Sequence, residues 1–319
     1  MCLFFDNFEP YIMETITDKR IDLMGKLDEK FAAIGQNADT HIEGLVYAKP
    51  MNYWDYIMPE ALLGLQIQRT TLPDEMVFIM YHQINELLFK MILWEINQVS
   101  DSKEIEAALF TEKLMRVSRY FDMLSSSFEI MGDGMQREQY MQFRNTLTPA
   151  SGFQSAQYRL IEFASTEVIN LIDNRFRATI DRETPIDHAF EHLYWQAAGK
   201  DHATGAKNTM LTLFEEKYKS MLLGKMEAYN TTNLWTRFKE LPEAVRQDAA
   251  LVSAMRHYDY TVNISWVMAH YHAAGKYLGN AEATGGSDWR KYMHPKYQRR
   301  IFFPELWSKE ELANWGEAF

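Results

Sequence analysis

Residues 75–99 read EMVFIMYHQINELLFKMILWEINQV, and this stretch carries the clearest structural signal in the chain. Its apolar side chains recur at steps of three, four and seven residues, which is the spacing of one helix face. Other apolar residues lie off that face, so we expect the helix to be buried on most sides. The preceding Leu72-Pro73-Asp74 puts a proline and an acid where a helix begins. The stretch therefore predicts a buried helix over Glu75–Val99.

Helical spacing recurs along most of the 319 residues, whereas no segment alternates apolar and polar residues over a useful length. The chain has only 15 glycines and 9 prolines, so long segments lack both residues that interrupt helices. We predict an all-α fold with an N-terminal helical arm, residues 1–45, and one helical domain, residues 46–319. The other predicted helices are Thr15–Ile34, Pro59–Gln68, Lys103–Phe128, Arg137–Leu147, Phe153–Phe176, Met210–Tyr229, Pro242–Leu278 and Lys309–Trp315.

The composition excludes several classes of protein. Aromatic residues make up 14% of the chain, which is too many for a disordered protein. The 33 Lys and Arg against 44 Asp and Glu give a net charge of −11, which argues against a general nucleic-acid binder. The longest apolar run, Met76–Tyr81, is far shorter than the roughly 18 residues of a membrane-spanning helix. The single cysteine, Cys2, permits no internal disulfide, and the N-terminus lacks the features of a secretory signal. We therefore expect a cytoplasmic protein that binds neither nucleic acid nor a membrane.

Three segments carry polar residues that a bare core helix does not need. In the first, Phe78 and His82 are four residues apart on one helix face, and Glu86 continues that face. A histidine and a glutamate within an apolar helix need polar partners. They are either functional groups or core residues that are satisfied by hydrogen bonds.

In the second segment, Tyr140 and Arg144 share a face just before the turn Thr148-Pro-Ala-Ser-Gly152. An arginine beside such a turn can bind a carboxylate through two parallel hydrogen bonds. The alternative is a solvated arginine on a surface helix. In the third segment, His270 lies in an apolar helix and is followed by Thr284-Gly285-Gly286-Ser287, where the glycines let the backbone approach a ligand closely. His270 is either a ligand-binding residue or a hydrogen-bonded core histidine.

These segments and several others resemble the tryptophan 2,3-dioxygenase family, in family order over roughly residues 50–310. The matching motifs are Tyr53-Trp-Asp-Tyr56, Asp74-Glu75, Phe78, His82-Gln83, Glu86-Leu87, Phe143-Arg144, Ser151-Gly-Phe-Gln-Ser155, Gln157-Tyr158-Arg159, Thr284-Gly-Gly-Ser287 and Phe303-Pro-Glu-Leu-Trp307. The resemblance implies an all-helical homotetramer that binds haem b. It also implies insertion of both atoms of O2 across the indole C2–C3 bond of L-tryptophan, which gives N-formylkynurenine in the first step of the kynurenine pathway.

The resemblance also implies a role for each matching residue. His270 takes the place of the proximal haem-iron ligand, with His272 as a competing candidate, and His82 takes the distal catalytic position near the indole N–H. Further cofactor contacts are implied for Ser151, Gly152 and Gly285. The implied substrate-binding residues are Phe78 beside the indole, Arg144 at the carboxylate, Tyr140 and Ser151 as its neighbours, Thr284 at the ammonium group, and Tyr53 and Tyr56, which in the family enter a neighbouring subunit's site.

The sequence departs from the family pattern in four places. Val267 replaces an arginine, Leu88 replaces a tryptophan, and Asp288-Trp289 replaces a Ser-Gly pair after the Gly-Gly turn. Residues 129–137 do not align cleanly with the family. Two other haem proteins therefore remain open: a sister oxygenase that transfers one oxygen atom to another aromatic amino acid or indole, and a non-catalytic haem- or tryptophan-binding protein. A helical interaction module without haem is a further alternative.

Weaker signals have structural interpretations. His188 and His192 are spaced to share a metal ion, but no third ligand is evident and we predict none there. Arg299 and Arg300, with nearby lysines, predict a solvated or interface patch. Ser308 and Glu311 match a capping box at the start of the last helix.

Overall fold

A computed structural model of the chain describes residues 9–147, 152–201, 204–279, 290 and 293–317. It divides into two compact units, Met1–Leu65 and Gln66–Phe319. The predicted end of the N-terminal arm, residue 45, falls inside the first unit.

The first unit is a series of helices that leaves much apolar surface exposed. It contains α1 (Glu9–Ala32), α2 (Ala38–Tyr47), α3 (Tyr53–Ile57) and α4 (Pro59–Leu62). Asn37 caps α2 by accepting a hydrogen bond from the Asp39 backbone N–H. The large side chains exposed between α2 and the end of the unit are Leu45, Val46, Tyr47, Met51, Tyr53, Trp54, Tyr56, Ile57, Met58, Leu62, Leu63 and Leu65.

The second unit is also helical, and the described ranges contain only isolated β-bridges besides helices and turns, so the all-α class is confirmed. None of the described helices is both long enough and apolar enough to cross a membrane. The α-helices given for the described residues of the second unit are α5 (Pro73–Ser100), α6 (Ala107–Asp133), α7 (Arg137–Phe143), α8 (Ala156–Ser165), α9 (Ile186–Phe190), α10 (Thr209–Thr232), α11 (Leu234–Glu240), α12 (Glu243–Arg246), α13 (Ala249–Tyr260), α14 (Trp266–Leu278), α15 (Pro295–Gln298) and α16 (Lys309–Ala313).

Helix α5 lies at the centre of the second unit, as its apolar pattern predicts. It packs against α6, α7, α8 and α11, and α6 packs in turn against α13 and α14. Phe89, Ile92 and Ile96 of α5 are buried, and Ile92 is fully inaccessible to solvent. The helix predicted over Glu75–Val99 is therefore confirmed, and its burial accounts for most of its stability.

Several predicted helices end earlier or start later than their apolar spacing indicates. The one predicted over Pro59–Gln68 ends at Leu62, the one over Arg137–Leu147 ends at Phe143 and continues as a 3-10 turn, and the one over Lys103–Phe128 starts at Ala107. The one predicted over Phe153–Phe176 ends at Ser165, because Thr166 is extended and its hydroxyl donates to the carbonyl of Phe302 at 2.5 Å. The one predicted over Pro242–Leu278 is divided, and its long part begins after Asp248, whose carboxylate accepts from the Leu251 N–H at 2.9 Å. The capping box of α16 is confirmed.

A π-helical turn, Thr261–Ser265, joins α13 to α14 in one continuous run. Just before it, the buried Asp259 accepts hydrogen bonds from the backbone N–H groups of Phe302 and Phe303, the Trp307 indole and the Asn263 amide, at 2.7 to 3.0 Å. The family motif around Phe303 and Trp307 is thereby fixed to the helix run that carries His270. Such π turns often occur at functional sites.

Candidate active site

An aromatic cluster lies where α5, α6, α7 and α14 meet. Its buried members are Tyr81, Phe128, Met131, Met135, Phe143, Ala273 and Tyr277, with Phe78, Tyr140 and Trp266 among the partly buried side chains packed on them. Two histidines, His82 and His270, contact its rings, and Arg144 interacts electrostatically with Tyr140 at its edge.

His82 lies on the α5 side of the cluster. Its ring is 4.1 Å from that of Phe78 and 5.5 Å from that of Tyr81. The side chain is open to solvent, yet protein surrounds it on most sides and this burial lowers its pKa, against weaker raising effects of the Phe78 carbonyl and Glu86.

The tautomer of His82 follows from its hydrogen bond. Nδ1 lies 2.7 Å from the carbonyl oxygen of Phe78. Because a carbonyl only accepts, Nδ1 carries the proton and Nε2 of the neutral ring is an acceptor. His82 therefore offers an acceptor to a donor such as an indole N–H.

Glu86, one turn further along α5, has a partner within the protein. The Gln157 amide donates to both its carboxylate and its backbone carbonyl, each at 2.8 Å. Gln157 belongs to the Gln-Tyr-Arg motif of the sequence. This part of the motif therefore holds α8 against α5.

Helix α7 supplies the wall opposite Phe78. The Tyr140 ring lies 6.3 Å from that of Phe78, 5.5 Å from that of Phe143 and 4.7 Å from that of Tyr277. Burial raises the pKa of Tyr140, and the nearby Arg144 opposes that shift only partly. The Tyr140 phenol is therefore neutral at physiological pH.

Arg144 is the first residue of the 3-10 turn that follows α7, Arg144–Leu147, and it is 7% exposed. One guanidinium nitrogen lies 3.9 Å from the Met141 sulfur. The planar fork of a buried guanidinium matches the two oxygens of a carboxylate.

His270 lies on the α14 side of the same cluster. Its ring stacks on that of Phe128, with centroids 5.1 Å apart and planes inclined by 13°. Phe128 also contacts Tyr81, at 6.0 Å, and Tyr81 contacts His82. Burial and the nearby His82 together lower the pKa of His270 to about 4. The two histidines are thus close enough to influence one another, and His270 is neutral at pH 7.

Comparisons with known proteins identify the family of the chain. A family model described as tryptophan 2,3-dioxygenase matches residues 38–240. The chain belongs to the tryptophan 2,3-dioxygenase family. It is 27% identical over 278 residues to a tryptophan 2,3-dioxygenase of Ruegeria sp. (strain TM1040), an alignment that covers 82% of this chain and 92% of that protein. It is 26% identical over 273 residues to a tryptophan 2,3-dioxygenase of Bacillus thuringiensis subsp. konkukian (strain 97-27), with the same two coverages. The family model ends before the helix run that carries His270.

His270 suits the haem that the tryptophan 2,3-dioxygenase family implies. Neither of its ring nitrogens forms a hydrogen bond with any residue that the structure describes. A neutral imidazole with a free lone pair is the form that binds a metal ion, and aromatic walls suit a flat macrocycle. His272, the competing candidate, is exposed and contacts Tyr271 at 6.0 Å rather than the cluster.

The structure brings together five of the residues that the resemblance singled out: Phe78, His82, Tyr140, Arg144 and His270. Gly152 begins a 3-10 turn, Gly152–Gln154. Tyr53 and Tyr56 belong to the first unit and are 72% and 73% exposed. The predicted residues Ser151, Thr284 and Gly285, and the departures Asp288 and Trp289, lie outside the described residues.

The structure also describes Val267, the ionisable groups that could hold a metal ion, and Arg300, which the sequence patterns had singled out. Val267, which replaces a family arginine, is buried, as an apolar residue should be. Among the described residues, no group of three or more His, Cys, Asp or Glu is placed to hold a metal ion. The prediction that Arg300 is part of a solvated or interface patch is wrong. Arg300 is 6% exposed and lies 2.8 Å from the fully buried Glu162, because that carboxylate needs cationic partners.

Phe128, Trp266 and Tyr277 also belong to the cluster, although the sequence patterns did not point to them. A signal existed for Trp266 alone, since it precedes His270 by four residues and therefore shares its helix face. Phe128 and Tyr277 belong to the site through the packing of α6, α7 and α14, which no local spacing indicates.

Proposed function

We propose that this chain is a haem-dependent tryptophan 2,3-dioxygenase that adds both atoms of O2 across the indole C2–C3 bond of L-tryptophan and gives N-formylkynurenine. The observation that carries the proposal is the pair His82 and His270, both neutral and both on one aromatic cluster. Membership of the family supports the same reaction. The product assigns the enzyme to the first step of tryptophan catabolism.

In this proposal His270 holds the iron of haem b. When bound, the haem supplies the oxygen chemistry, which belongs largely to the cofactor. The contribution of the chain is to bind and orient the substrate and to keep water out. The described aromatic walls serve that exclusion.

The substrate is a zwitterion with a flat apolar group, and each part has a counterpart. Arg144 binds the carboxylate through its guanidinium fork. Phe78 and Tyr140 flank the indole, and Nε2 of His82 accepts a hydrogen bond from the indole N–H. We infer from the resemblance that Thr284 binds the ammonium group, that Ser151 adjoins the carboxylate, and that Ser151, Gly152 and Gly285 approach the cofactor.

We also infer a cytoplasmic homotetramer. The exposed apolar side chains around Tyr53 and Tyr56 support an association of subunits, because monomers rarely expose so many large apolar residues in one stretch. In the family pattern these tyrosines enter a neighbouring subunit's site. Sedimentation of the wild type and of a Tyr53→Ser, Trp54→Ser double variant tests the association, and we expect the variant to dissociate.

A single-turnover experiment tests the reaction. The haem-loaded protein is reduced without oxygen, mixed with L-tryptophan and 18O2, and its product is analysed by mass and absorbance. We expect N-formylkynurenine that carries two 18O atoms. A product with one 18O atom indicates the sister monooxygenase, which the Asp288-Trp289 replacement favours. A haem protein that yields no product contradicts both enzymatic interpretations.

A further inference from the structure

Trp266 sits inside a ring of aromatic side chains at the first position after the π turn. Its closest ring neighbour is Tyr158, at 4.8 Å, and its helical neighbour one turn on is His270, at 6.3 Å. The other rings in contact with it are Phe89 at 6.1 Å, Phe121 at 6.0 Å and Phe128 at 6.3 Å. Residues of α5, α6, α8 and α14 thus meet on this one indole.

The ring packing, rather than a hydrogen bond, holds Trp266 in place. Its indole nitrogen is buried and has no hydrogen-bond partner among the residues that the structure describes. A buried N–H without a partner is unfavourable, so the aromatic contacts must outweigh that loss.

Tyr158 is itself held by a buried polar network. Its hydroxyl accepts a hydrogen bond from Arg300 at 2.9 Å, and the same Arg300 nitrogen lies 2.8 Å from Glu162. Arg159 also pairs with Glu162, at 3.0 Å. Every member of this group is at most 6% exposed, so the Tyr158 ring has little freedom to move.

These contacts form a continuous path from Arg300 through Tyr158 and Trp266 to His270. Phe128 closes the other side, because it stacks on His270 and contacts Trp266 as well. The imidazole is therefore packed from two directions by side chains that are themselves fixed. This arrangement suits a residue that makes no hydrogen bond of its own within the described chain.

We propose that Tyr158 and Trp266 are positioning residues that fix the orientation of the His270 imidazole toward the iron. The assignment rests on the proposed function, because it takes His270 as the iron ligand. Neither residue contacts the substrate in this view. Their loss changes how His270 binds the iron before it changes anything else in the site.

The test compares Trp266→Leu with Trp235→Leu. Trp235 is an equally suitable buried tryptophan, 2% exposed, whose ring contacts Phe238 and Phe303, neither of which contacts His270. Two quantities are measured: the rate of haem transfer to an excess of apomyoglobin, and the iron–histidine stretching frequency of the ferrous protein by resonance Raman spectroscopy. Tyr158→Phe is added, since it keeps the ring and removes only the hydroxyl that Arg300 binds.

We expect Trp266→Leu to raise the haem-transfer rate about tenfold or more and to shift the stretching frequency, because it removes several aromatic contacts at once. Trp235→Leu should change the transfer rate less than about twofold, and Tyr158→Phe should lie between the two. Equal effects of Trp266→Leu and Trp235→Leu would overturn the proposal. Should Trp266→Leu not fold, Trp266→Phe against Trp235→Phe gives the same comparison.

Failure of the proposed function has a different result. If His270→Ala retains haem with an unchanged stretching frequency, His270 is not the ligand and the proposed function itself fails at that residue. If His270→Ala loses haem while Trp266→Leu behaves as the wild type, only the positioning role is wrong.

Discussion

Asp259, which is fully buried, and His270, which is half-buried, are ionisable residues on one continuous helical run, yet their surroundings are opposite. Asp259 accepts four hydrogen bonds, from Asn263, Phe302, Phe303 and Trp307. His270 accepts and donates none within the described residues and lies against aromatic rings. Buried polar groups that serve the fold are satisfied by the chain, whereas a polar group left without partners is available to a ligand.

The pKa values of the two residues express the same difference. Burial raises the pKa of Asp259, but four donors act against that shift and stabilise the carboxylate. Burial lowers the pKa of His270 and the nearby His82 acts in the same direction, and together they bring it to about 4. The chain thus holds Asp259 as a hydrogen-bonded acceptor and keeps His270 as a neutral base.

The largest expected effect is that of His270→Ala on haem binding. Removal of the imidazole should abolish haem retention during purification, because no other described histidine but His82 lies on the aromatic cluster. Folding should be nearly unchanged, since the side chain makes no hydrogen bond within the described chain. The haem-to-protein absorbance ratio measures the loss, and added imidazole should restore part of it. A normal haem content in this variant would show that His270 does not hold the haem.

Asp259→Ala is expected to have the converse effect. Four donors lose their acceptor, two of them backbone N–H groups that fix residues 302 and 303. We expect a loss of about 3 kcal/mol or more in the free energy of unfolding, measured by urea denaturation of the haem-free protein.

The control for that experiment is Asp133→Ala. Asp133 also pairs with a helix residue, Lys276 at 2.7 Å, but its side chain is 71% exposed. A change below about 1 kcal/mol is expected, as for surface ion pairs in general. If both substitutions lower the free energy of unfolding by the same amount, the hydrogen bonds of Asp259 stabilise the fold no more than a surface ion pair does.

Arg144→Ala is expected to have a smaller, substrate-specific effect. Loss of a charged, buried contact to the carboxylate should raise the KM for L-tryptophan about tenfold to a hundredfold in steady-state kinetics. Tryptamine lacks the carboxylate, so its KM with the wild-type enzyme should be raised by a similar factor over that of L-tryptophan. Arg116→Ala, on an exposed part of α6, serves as the control and should leave KM unchanged. An unaltered KM in Arg144→Ala would exclude Arg144 from carboxylate binding.

Local patterns in the sequence predict some features of this fold and not others. The periodicity of residues 75–99 predicts α5 and its burial, because a helix face is a local property. The same periodicity across residues 242–278 does not predict the π turn. That turn follows directly after Asp259, whose carboxylate contacts residues more than forty positions away in the chain. Arg300 is similar, since its partner Glu162 lies 138 residues earlier in the chain. In both cases the local pattern fails because the structure depends on partners that are distant in sequence.

For the candidate site, the sequence indicated the polar residues and missed most of the walls. His82, Arg144 and His270 stand out because polar residues are unusual on apolar helices. Phe128 and Tyr277 do not, because aromatic residues are common in any core. Residue type therefore predicts the chemistry of the site, and only the packing of helices shows what encloses it.

The smallest expected effect concerns Glu191, a partly exposed carboxylate that is paired with three lysines. Burial acts to raise its pKa, but the ammonium groups of Lys200, Lys207 and Lys219, 2.5 to 3.0 Å away, lower it from 4.5 to about 2. Since the pKa is lower in the folded protein than in the unfolded chain, the stabilisation is fully present above pH 4.5 and is lost as the pH falls toward 2. Partial solvent exposure limits the contribution to about 1 kcal/mol.

Glu191→Gln should therefore lower the free energy of unfolding by that amount at pH 7 and by progressively less between pH 4.5 and pH 2. Urea denaturation of the haem-free wild type and variant across this range measures the difference. The haem-transfer rate should be the same in both proteins at pH 7, because Glu191 stabilises the loop before α10 and not the aromatic cluster. A difference that does not change with pH would show that the three lysines do not stabilise the ionised form of Glu191, and that this part of the second unit is held by its apolar contacts alone.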